Sequence, residues 1–218
     1  RKRLLLADMD STMIQQECID ELAEAAGHGD AVRAVTARAM NGELDFEDAL
    51  RERVAVMKGL PEAVIDEVLK TRITMMPGAA TLVATMKAQG AYTALVSGGF
   101  TAFTEKVAAR LGFDENRANV LVAEKGVLTG TVADPVLGRQ AKVDALADLT
   151  TRLGIGAGDV LAIGDGANDL GMLAAAGLGV AVHAKPAVQA EARHRINHGD
   201  LTALLYVQGY ARADFVTR

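Results

Sequence analysis

The chain has 218 residues, of which 50% are hydrophobic, 4% aromatic and 23% charged, and its formal net charge is -5. This length fits either one large domain or a domain that carries a sizeable insertion, and it supplies enough apolar side chains for a buried core. Lysines and arginines are scattered rather than clustered, so the charge pattern predicts no nucleic-acid-binding surface and no polybasic membrane anchor.

The single cysteine, Cys18, excludes an intrachain disulfide and is typical of a protein in a reducing compartment. No apolar run approaches the ~20 residues that a membrane-spanning helix needs. The first residues lack the order of basic, apolar and small residues that is typical of a signal peptide. The chain begins with Arg1 rather than Met, which is compatible with a further segment before Arg1 in the full protein. The cytoplasm is the expected location.

Four short apolar runs end in small or acidic residues and have the length of strands buried on both faces. They are 4–8, 92–99, 160–166 and 178–184. Helical patterns occupy 78–89, 101–111, 139–153, 167–176 and 200–207. This alternation predicts an α/β fold with a Rossmann-like parallel sheet. A separate stretch, 120–134, predicts a small β-hairpin that turns at Lys125-Gly126.

Residues 14–74 contain no convincing strand pattern and instead show apolar residues at helical spacing. The sequence therefore predicts a helical insertion after the first strand. Because it leaves the sheet at the carboxyl end of a strand, such an insertion forms a lid over that end of the sheet. We expect a core domain at 1–13 and 75–218 and a helical cap at 14–74.

Two acidic motifs follow predicted strands. "DMDST" supplies Asp8 and Asp10, and "GDGANDLG" supplies Asp165 and Asp169. Two close carboxylates are tolerated when a cation lies between them or when one stays protonated. Each motif alone is also typical of a helix N-cap or a solvated turn. Together the two motifs predict a site of hard oxygen ligands of the kind that binds Mg²⁺.

Two further features favour an anion next to these acids. "SGG" at 97–99 ends a strand and precedes a helix, so its hydroxyl and N–H groups suit an anion, although a plain tight turn is the alternative. Lys142 continues the apolar stripe of Leu146, Leu149 and Leu153, so it needs a counter-charge, a bound phosphate or a path to solvent. Carboxylates, a hydroxyl and a lysine together indicate phosphoryl transfer. No P-loop motif is present.

In their order and spacing, "DMDST", "SGG", Lys142 and "GDGANDL" resemble the four motifs of the haloacid dehalogenase (HAD) superfamily of phosphatases. "DSTMIQQECIDELA" at 10–23 and "FEDALRERV" at 46–54 resemble the phosphoserine phosphatase family within it. The similarity covers almost the whole chain. It implies the HAD fold and Mg²⁺-dependent hydrolysis of O-phospho-L-serine through an aspartyl-phosphate, the last step of L-serine biosynthesis.

The resemblance also implies residue roles for the chemistry. Asp8 would be the nucleophile, and Asp10 would protonate the departing serine oxygen and then act as the base for water. Mg²⁺ would be held by Asp8, the backbone carbonyl of Asp10 and Asp165. Asp169 would support the metal, either directly or from behind its ligands.

The implied phosphoryl contacts are Ser97, Gly98 and Lys142, with Asn168 near the bound substrate. From the cap, Glu17 would bind the substrate ammonium and Arg53 its carboxylate, while Met40 and Phe46 would close the apolar side of the pocket. Without the resemblance, Glu17 also fits a solvated helix face and Arg53 also fits a surface ion pair.

Two other functions stay open. The same chemistry on another small phosphomonoester, or transfer of the phosphoryl group to an acceptor such as homoserine, would depend on the cap residues. A receiver-like domain that stores phosphate on an aspartate is disfavoured, because such domains are much shorter and lack a helical lid. The expected partner is a small-molecule substrate, with no nucleic acid and no membrane, and the expected state is a monomer or weak homodimer.

Overall fold

The computed structural model describes residues 1–40 and 43–217, with the side chain of Met40 left out. The strands are β1 (Leu4–Ala7), β2 (Tyr92–Phe100), β3 (Glu115–Asn119), β4 (Leu121–Glu124), β5 (Val127–Val132), β6 (Val160–Gly164), β7 (Leu178–Val182) and β8 (His194–Ile196). The helices are α1 (Cys18–Ala25), α2 (Gly29–Met40), α3 (Phe46–Ala55), α4 (Ala63–Thr71), α5 (Ala79–Ala88), α6 (Thr101–Leu111), α7 (Arg139–Leu153), α8 (Leu170–Ala175), α9 (Pro186–Glu191) and α10 (Ala203–Val207).

Six strands form a parallel sheet in the order β3-β2-β1-β6-β7-β8. Strand β1 lies at its centre and buries side chains on both faces. Leu5 and Ala7 pack with residues of α5, α6 and α10, whereas Leu4 and Leu6 pack with residues of α7, α8 and α9. Burial on both faces explains the continuous apolar run, and the predicted α/β class with a Rossmann-like sheet is confirmed.

Helices α1 to α4 all lie between β1 and α5 along the chain. Where the chain leaves the sheet and returns to it, Ile14 and Met75 form an antiparallel bridge. The N–H of Met76 donates to the carbonyl of Met13 at 2.9 Å beside this bridge. These contacts lie at the boundaries expected for the helical cap. The division into two domains stays a prediction.

Strands β4 and β5 form the predicted antiparallel hairpin. Lys125 and Gly126 at its tip have φ values of 52° and 78°, as a tight two-residue hairpin turn requires. The hairpin is also fastened to the segment between α3 and α4. The N–H of Leu128 donates to Leu60, and the N–H of Gly59 donates to Leu128, both at 2.9 Å. The hairpin and the helical insertion are therefore in direct contact.

The sequence pattern missed the two outer strands of the sheet, β3 and β8. Strand β3 reads "ENRAN" and β8 has three residues, so neither has the apolar run of a central strand. The last predicted helix begins at Ala203 rather than at residue 200. Leu201 and Thr202 form a turn before it, in which the Asp200 side chain accepts a hydrogen bond from the N–H of Thr202. Within the described ranges, no helix is long and apolar enough to cross a membrane.

Candidate active site

Asp8 and Asp165 each follow directly on one of two neighbouring central strands, β1 and β6. The N–H of Asp8 donates to Ile163 at 3.0 Å, which fixes Asp8 against the end of β6. Asp8 Oδ1 accepts from the N–H of Met9 at 2.8 Å, and Asp165 Oδ1 accepts from the Thr12 hydroxyl at 2.9 Å. Both acids are buried. The carboxyl ends of adjacent parallel strands thus bring two acids to the same place.

Lys142 brings a positive charge to these acids from α7. Its Nζ lies 2.7 Å from Asp8 Oδ1 and 2.6 Å from Asp169 Oδ1, and only 1% of the residue is exposed. The other oxygen of Asp169 accepts from the N–H groups of Asp165 at 3.1 Å and Gly166 at 2.9 Å. Asp8 and Asp169 are therefore the counter-charges that the position of Lys142 in an apolar stripe required. Because both oxygens of Asp169 accept from protein donors, this residue holds the lysine and the loop after β6 in place.

The acidic cluster fits a divalent cation. Asp8, Asp165 and Asp169 place carboxylate oxygens within 4.8 Å of one another, and one lysine leaves two of their three negative charges unbalanced. Burial, followed by the charge of Asp169, raises the pKa of Asp8 well above its usual 3.8. Burial raises the pKa of Asp165 to about 6. A divalent cation would offset this excess charge, and carboxylate oxygens are the ligands that Mg²⁺ prefers.

Asp10 lies in the turn after β1 and is half-buried. Side chains two residues apart in a strand point to the same face, but β1 ends at Ala7, so this rule does not place Asp10. The turn after β1 brings Asp10 beside the other acids. Its Oδ1 accepts from the N–H of Cys18 at 3.3 Å, and a Cβ on Gly99 would lie 3.0 Å from its Oδ2. Burial, followed by the charge of Glu17, raises the pKa of Asp10 to about 7. This carboxyl group is therefore suited to proton transfer near neutral pH.

The "SGG" segment lies at the end of β2, one residue before α6 begins at Thr101. Ser97 is buried, and its hydroxyl accepts from the N–H of Gly99 at 2.9 Å. Ser97, Gly98 and Gly99 line the same cavity as Asp8, Asp10 and Asp165. A hydroxyl and glycine backbone at the start of a helix of 11 residues are suited to binding an anion.

The cavity has a volume of about 660 Å³ and lies between the sheet and the helical insertion. That volume is within the usual range for small-molecule sites. The residues of the core that line the cavity include Asp8, Asp10, Asp165, the "SGG" segment and Asn168 of the turn after β6. The insertion supplies Glu17, Ile19, Phe46, Leu50 and Arg53. The insertion is thus one wall of the cavity, as a lid requires.

Glu17 and Arg53 are the two charged groups that the insertion presents to the cavity. Glu17 Oε1 accepts from the Ser11 hydroxyl at 2.7 Å. Arg53 Nε donates to the carbonyl of Ala49 at 3.1 Å, and its guanidinium forms no ion pair within the described ranges. Burial lowers the pKa of Arg53, against the charges of Asp20 and Glu17. A half-buried guanidinium beside a cavity is suited to binding an anionic group of a ligand.

Phe46, the first residue of α3, packs its ring against two glycines of the core. A Cβ would lie 3.1 Å from the ring if added to Gly98 and 3.3 Å if added to Gly138. Phe46 therefore brings the insertion into contact with the "SGG" segment. The prediction for the Met40 side chain falls outside the described residues.

Three residues at the site were missed by the sequence pattern. Ser11 and Thr12 belong to "DMDST", where the sequence alone indicates only a helix cap. In the structure the Ser11 hydroxyl donates to Glu17 and the Thr12 hydroxyl donates to Asp165. Lys185 lines the cavity from the loop after β7. Lys185 directly follows the predicted strand at 178–184. Functional residues gather at the carboxyl ends of parallel strands, so this position is the sequence signal for Lys185.

Comparison with known proteins gives a consistent assignment. A family model described as haloacid dehalogenase-like hydrolase matches residues 5–174. A phosphoserine phosphatase of Polaromonas sp. is 47% identical over 93% of this chain and 88% of its own length. A phosphoserine phosphatase of Haemophilus influenzae is 48% identical over 93% of this chain, which spans 64% of that protein.

Solved structures give the same result. One described as a phospho-aspartyl intermediate analogue of phosphoserine phosphatase has a TM-score of 0.87 and 40% identity, and the match covers 95% of this chain and 99% of that one. A substrate-bound phosphoserine phosphatase complex has a TM-score of 0.87 and 40% identity, with 95% and 98% covered.

We predict that Lys142→Met lowers the free energy of unfolding by about 3–5 kcal/mol in EDTA, because Asp8 and Asp169 stay buried without their positive partner. Urea unfolding followed by circular dichroism measures this change. Lys106→Met, on an exposed face of α6, is the control and should change stability by less than about 0.5 kcal/mol. Equal small effects of the two substitutions would contradict the charge balance described above.

Proposed function

The chain belongs to the family of haloacid dehalogenase-like hydrolases, and from this we propose that it hydrolyses O-phospho-L-serine to L-serine and phosphate. The observation that carries the proposal is the meeting of buried Asp8 and Lys142 with half-buried Asp10, under a wall that presents Glu17 and Arg53. The product is L-serine, so the reaction is the last step of L-serine biosynthesis. A cytoplasmic location and a monomeric or weakly dimeric state stay predictions from the sequence.

In the first step, a carboxylate oxygen of Asp8 attacks phosphorus and forms the new bond of an aspartyl-phosphate. The bond between phosphorus and the serine oxygen breaks, and Asp10 gives its proton to that oxygen, so that serine leaves with a neutral hydroxyl. The pKa of Asp10 near 7 supports this role, since a large share of the group carries a proton at neutral pH.

In the second step, Asp10 takes a proton from a water molecule while the water oxygen bonds to phosphorus. The bond between Asp8 and phosphorus breaks, and phosphate leaves. Asp8 is again a carboxylate, and Asp10 again carries a proton. The same two residues therefore serve both halves of the reaction.

Binding of the phosphoryl group is assigned to Lys142, Ser97 and Gly98, which offer a positive charge, a hydroxyl and a backbone N–H. Mg²⁺ would be held by Asp8, the backbone carbonyl of Asp10 and Asp165, with Asp169 holding Lys142 and the loop behind them. The bound cation supplies positive charge that offsets the phosphoryl oxygens and the acids. The ammonium of Lys142 also offsets the charge of the phosphoryl oxygens, and because Asp8 and Asp169 hold it in place, it need not reorganise during the reaction.

Selection of phosphoserine is assigned to the insertion. The Glu17 carboxylate would bind the substrate ammonium, and the planar guanidinium of Arg53 would bind its carboxylate through paired hydrogen bonds. Phe46 covers the pocket beside Gly98. Met40 is expected to add to this cover. Asn168 lines the same cavity and would lie near the bound substrate.

We predict that Asp8→Asn lowers kcat for phosphoserine by at least about a thousandfold, because an amide cannot form the aspartyl-phosphate. Circular dichroism should show an unchanged fold, and acid quenching should trap phosphate on wild-type protein but not on the variant. Asp144→Asn, on the exposed face of α7, is the control and should keep full activity. An active Asp8→Asn protein would rule out the covalent route.

We predict that EDTA abolishes hydrolysis, because without a cation nothing offsets the excess negative charge of Asp8, Asp165 and Asp169. Added Mg²⁺ should restore hydrolysis. Asp165→Asn should weaken Mg²⁺ binding by about tenfold or more, measured by calorimetry without substrate. Asp159→Asn, at the amino end of the same strand, should bind Mg²⁺ like the wild type. Full activity in EDTA would contradict the metal assignment.

We predict that Arg53→Ala raises KM for phosphoserine by about tenfold to a hundredfold, because a charge-assisted pair to the substrate carboxylate is lost. Phosphoethanolamine lacks this carboxylate, so its specificity constant should change far less. Arg51→Ala is the control, because it removes another half-buried arginine of the same helix, which pairs with Glu47 and Asp134. An unchanged specificity constant for phosphoserine would show that Arg53 does not select the substrate.

A further inference from the structure

Strands β2 and β3 lose their register where residues 97–99 leave the sheet. Val96 lies opposite Arg117, and Phe100 lies opposite Asn119. Four steps along β2 therefore match two steps along β3, so the intervening residues of β2 bulge out of the ladder. A bulge of this kind re-aims backbone and side chains, but it also leaves them without strand partners to hold them.

The side chain of Asn119 supplies a partner at this bulge. Its Nδ2 donates to the carbonyl of Gly98 at 2.8 Å and to the carbonyl of Leu137 at 3.2 Å. Its Oδ1 accepts from the N–H of Leu137 at 2.7 Å. Asn119 is 2% exposed, so these bonds are made away from water. One buried carboxamide thus joins the bulge to the loop that leads into α7.

The two joined segments carry different parts of the site. The bulge contains Ser97 and Gly98, and α7 places Lys142 between Asp8 and Asp169. The ring of Phe46 from the insertion also rests against both segments, at Gly98 and Gly138. Asn119 itself is not among the described residues that line the cavity.

We infer that Asn119 is a positioning residue, which fixes the Ser97–Gly99 bulge at the distance from α7 at which Ser97 and Lys142 reach the same phosphoryl group. The inference rests on the proposed function, because that function assigns both groups to the phosphoryl oxygens. Groups from separate segments bind one small anion well only when their spacing is set in advance. A displacement of about 1 Å in such a site costs about a hundredfold in rate.

The test uses the full chain with Mg²⁺ and inorganic phosphate as the probe. Asn119→Ala removes all three hydrogen bonds. Asn119→Asp keeps the acceptor for Leu137 but donates to at most one of the two carbonyls, and to neither when ionised. Asn116→Ala is the matched control. It removes an asparagine of the same strand, whose Oδ1 accepts from the Thr104 hydroxyl at 2.7 Å and whose side chain forms no hydrogen bond to either segment among the described residues.

Calorimetry should show phosphate binding weakened by about tenfold or more in both Asn119 variants and by less than about twofold in Asn116→Ala. The kcat for phosphoserine should fall by about tenfold or more in the same two variants. Wild-type protein that binds phosphate but does not hydrolyse phosphoserine would overturn the proposed substrate, and the phosphate affinities would still decide the role of Asn119.

Equal phosphate affinities in the wild type and the Asn119 variants would overturn the inference, whatever the change in melting temperature. Absence of phosphate binding to the wild type would overturn it as well. If Asn119→Ala shows no cooperative melting, Asn119→Asp decides. If neither variant melts cooperatively, Asn119 serves folding rather than spacing, and the inference is wrong.

Discussion

The pairing of the Lys142 ammonium with Asp8 and Asp169 is the interaction on which the rest of the site depends. Three acids within 4.8 Å of one another repel in a buried place, and a single lysine makes their closeness tolerable without neutralising them fully. The remaining negative charge creates the demand for a divalent cation. Partial rather than full compensation is therefore what suits this cluster to a divalent cation and distinguishes it from a fully balanced ion pair.

The sheet explains why these charges meet. Parallel strands end at a common edge, so β1 and β6 deliver Asp8 and Asp165 to one place although the residues are far apart in sequence. Helix α7 crosses the face of the sheet on which Leu4 and Leu6 lie, and Asp8 continues that face after the strand ends. Lys142 on α7 thus reaches Asp8 from the layer that already packs against β1.

The fold and much of the site followed from local sequence patterns. Strands that are buried on both faces are apolar throughout, and Lys142 is conspicuous because it places a charge at the end of an apolar helix stripe. Other features depend on turns and on distant partners. Asp10 is placed by a turn rather than by strand alternation. Asn119 lies in a polar outer strand, and its three side-chain hydrogen bonds go to two residues, Gly98 and Leu137, which are 21 and 18 residues away. No local period encodes such contacts, so sequence patterns did not predict them.

The attachment of the hairpin to the insertion has a consequence for how a ligand enters. Backbone bonds join Leu128 to Gly59 and Leu60, so β4 and β5 travel with the helices if the wall of the cavity moves. The chain passes between the sheet and this unit of helices and hairpin at two places. One is marked by the backbone pair of Ile14 with Met75, and the other by that of Val120 with Ala133. If the wall of the cavity moves relative to the sheet, the backbone has to bend at these two crossings, and the second lies directly beside Asn119.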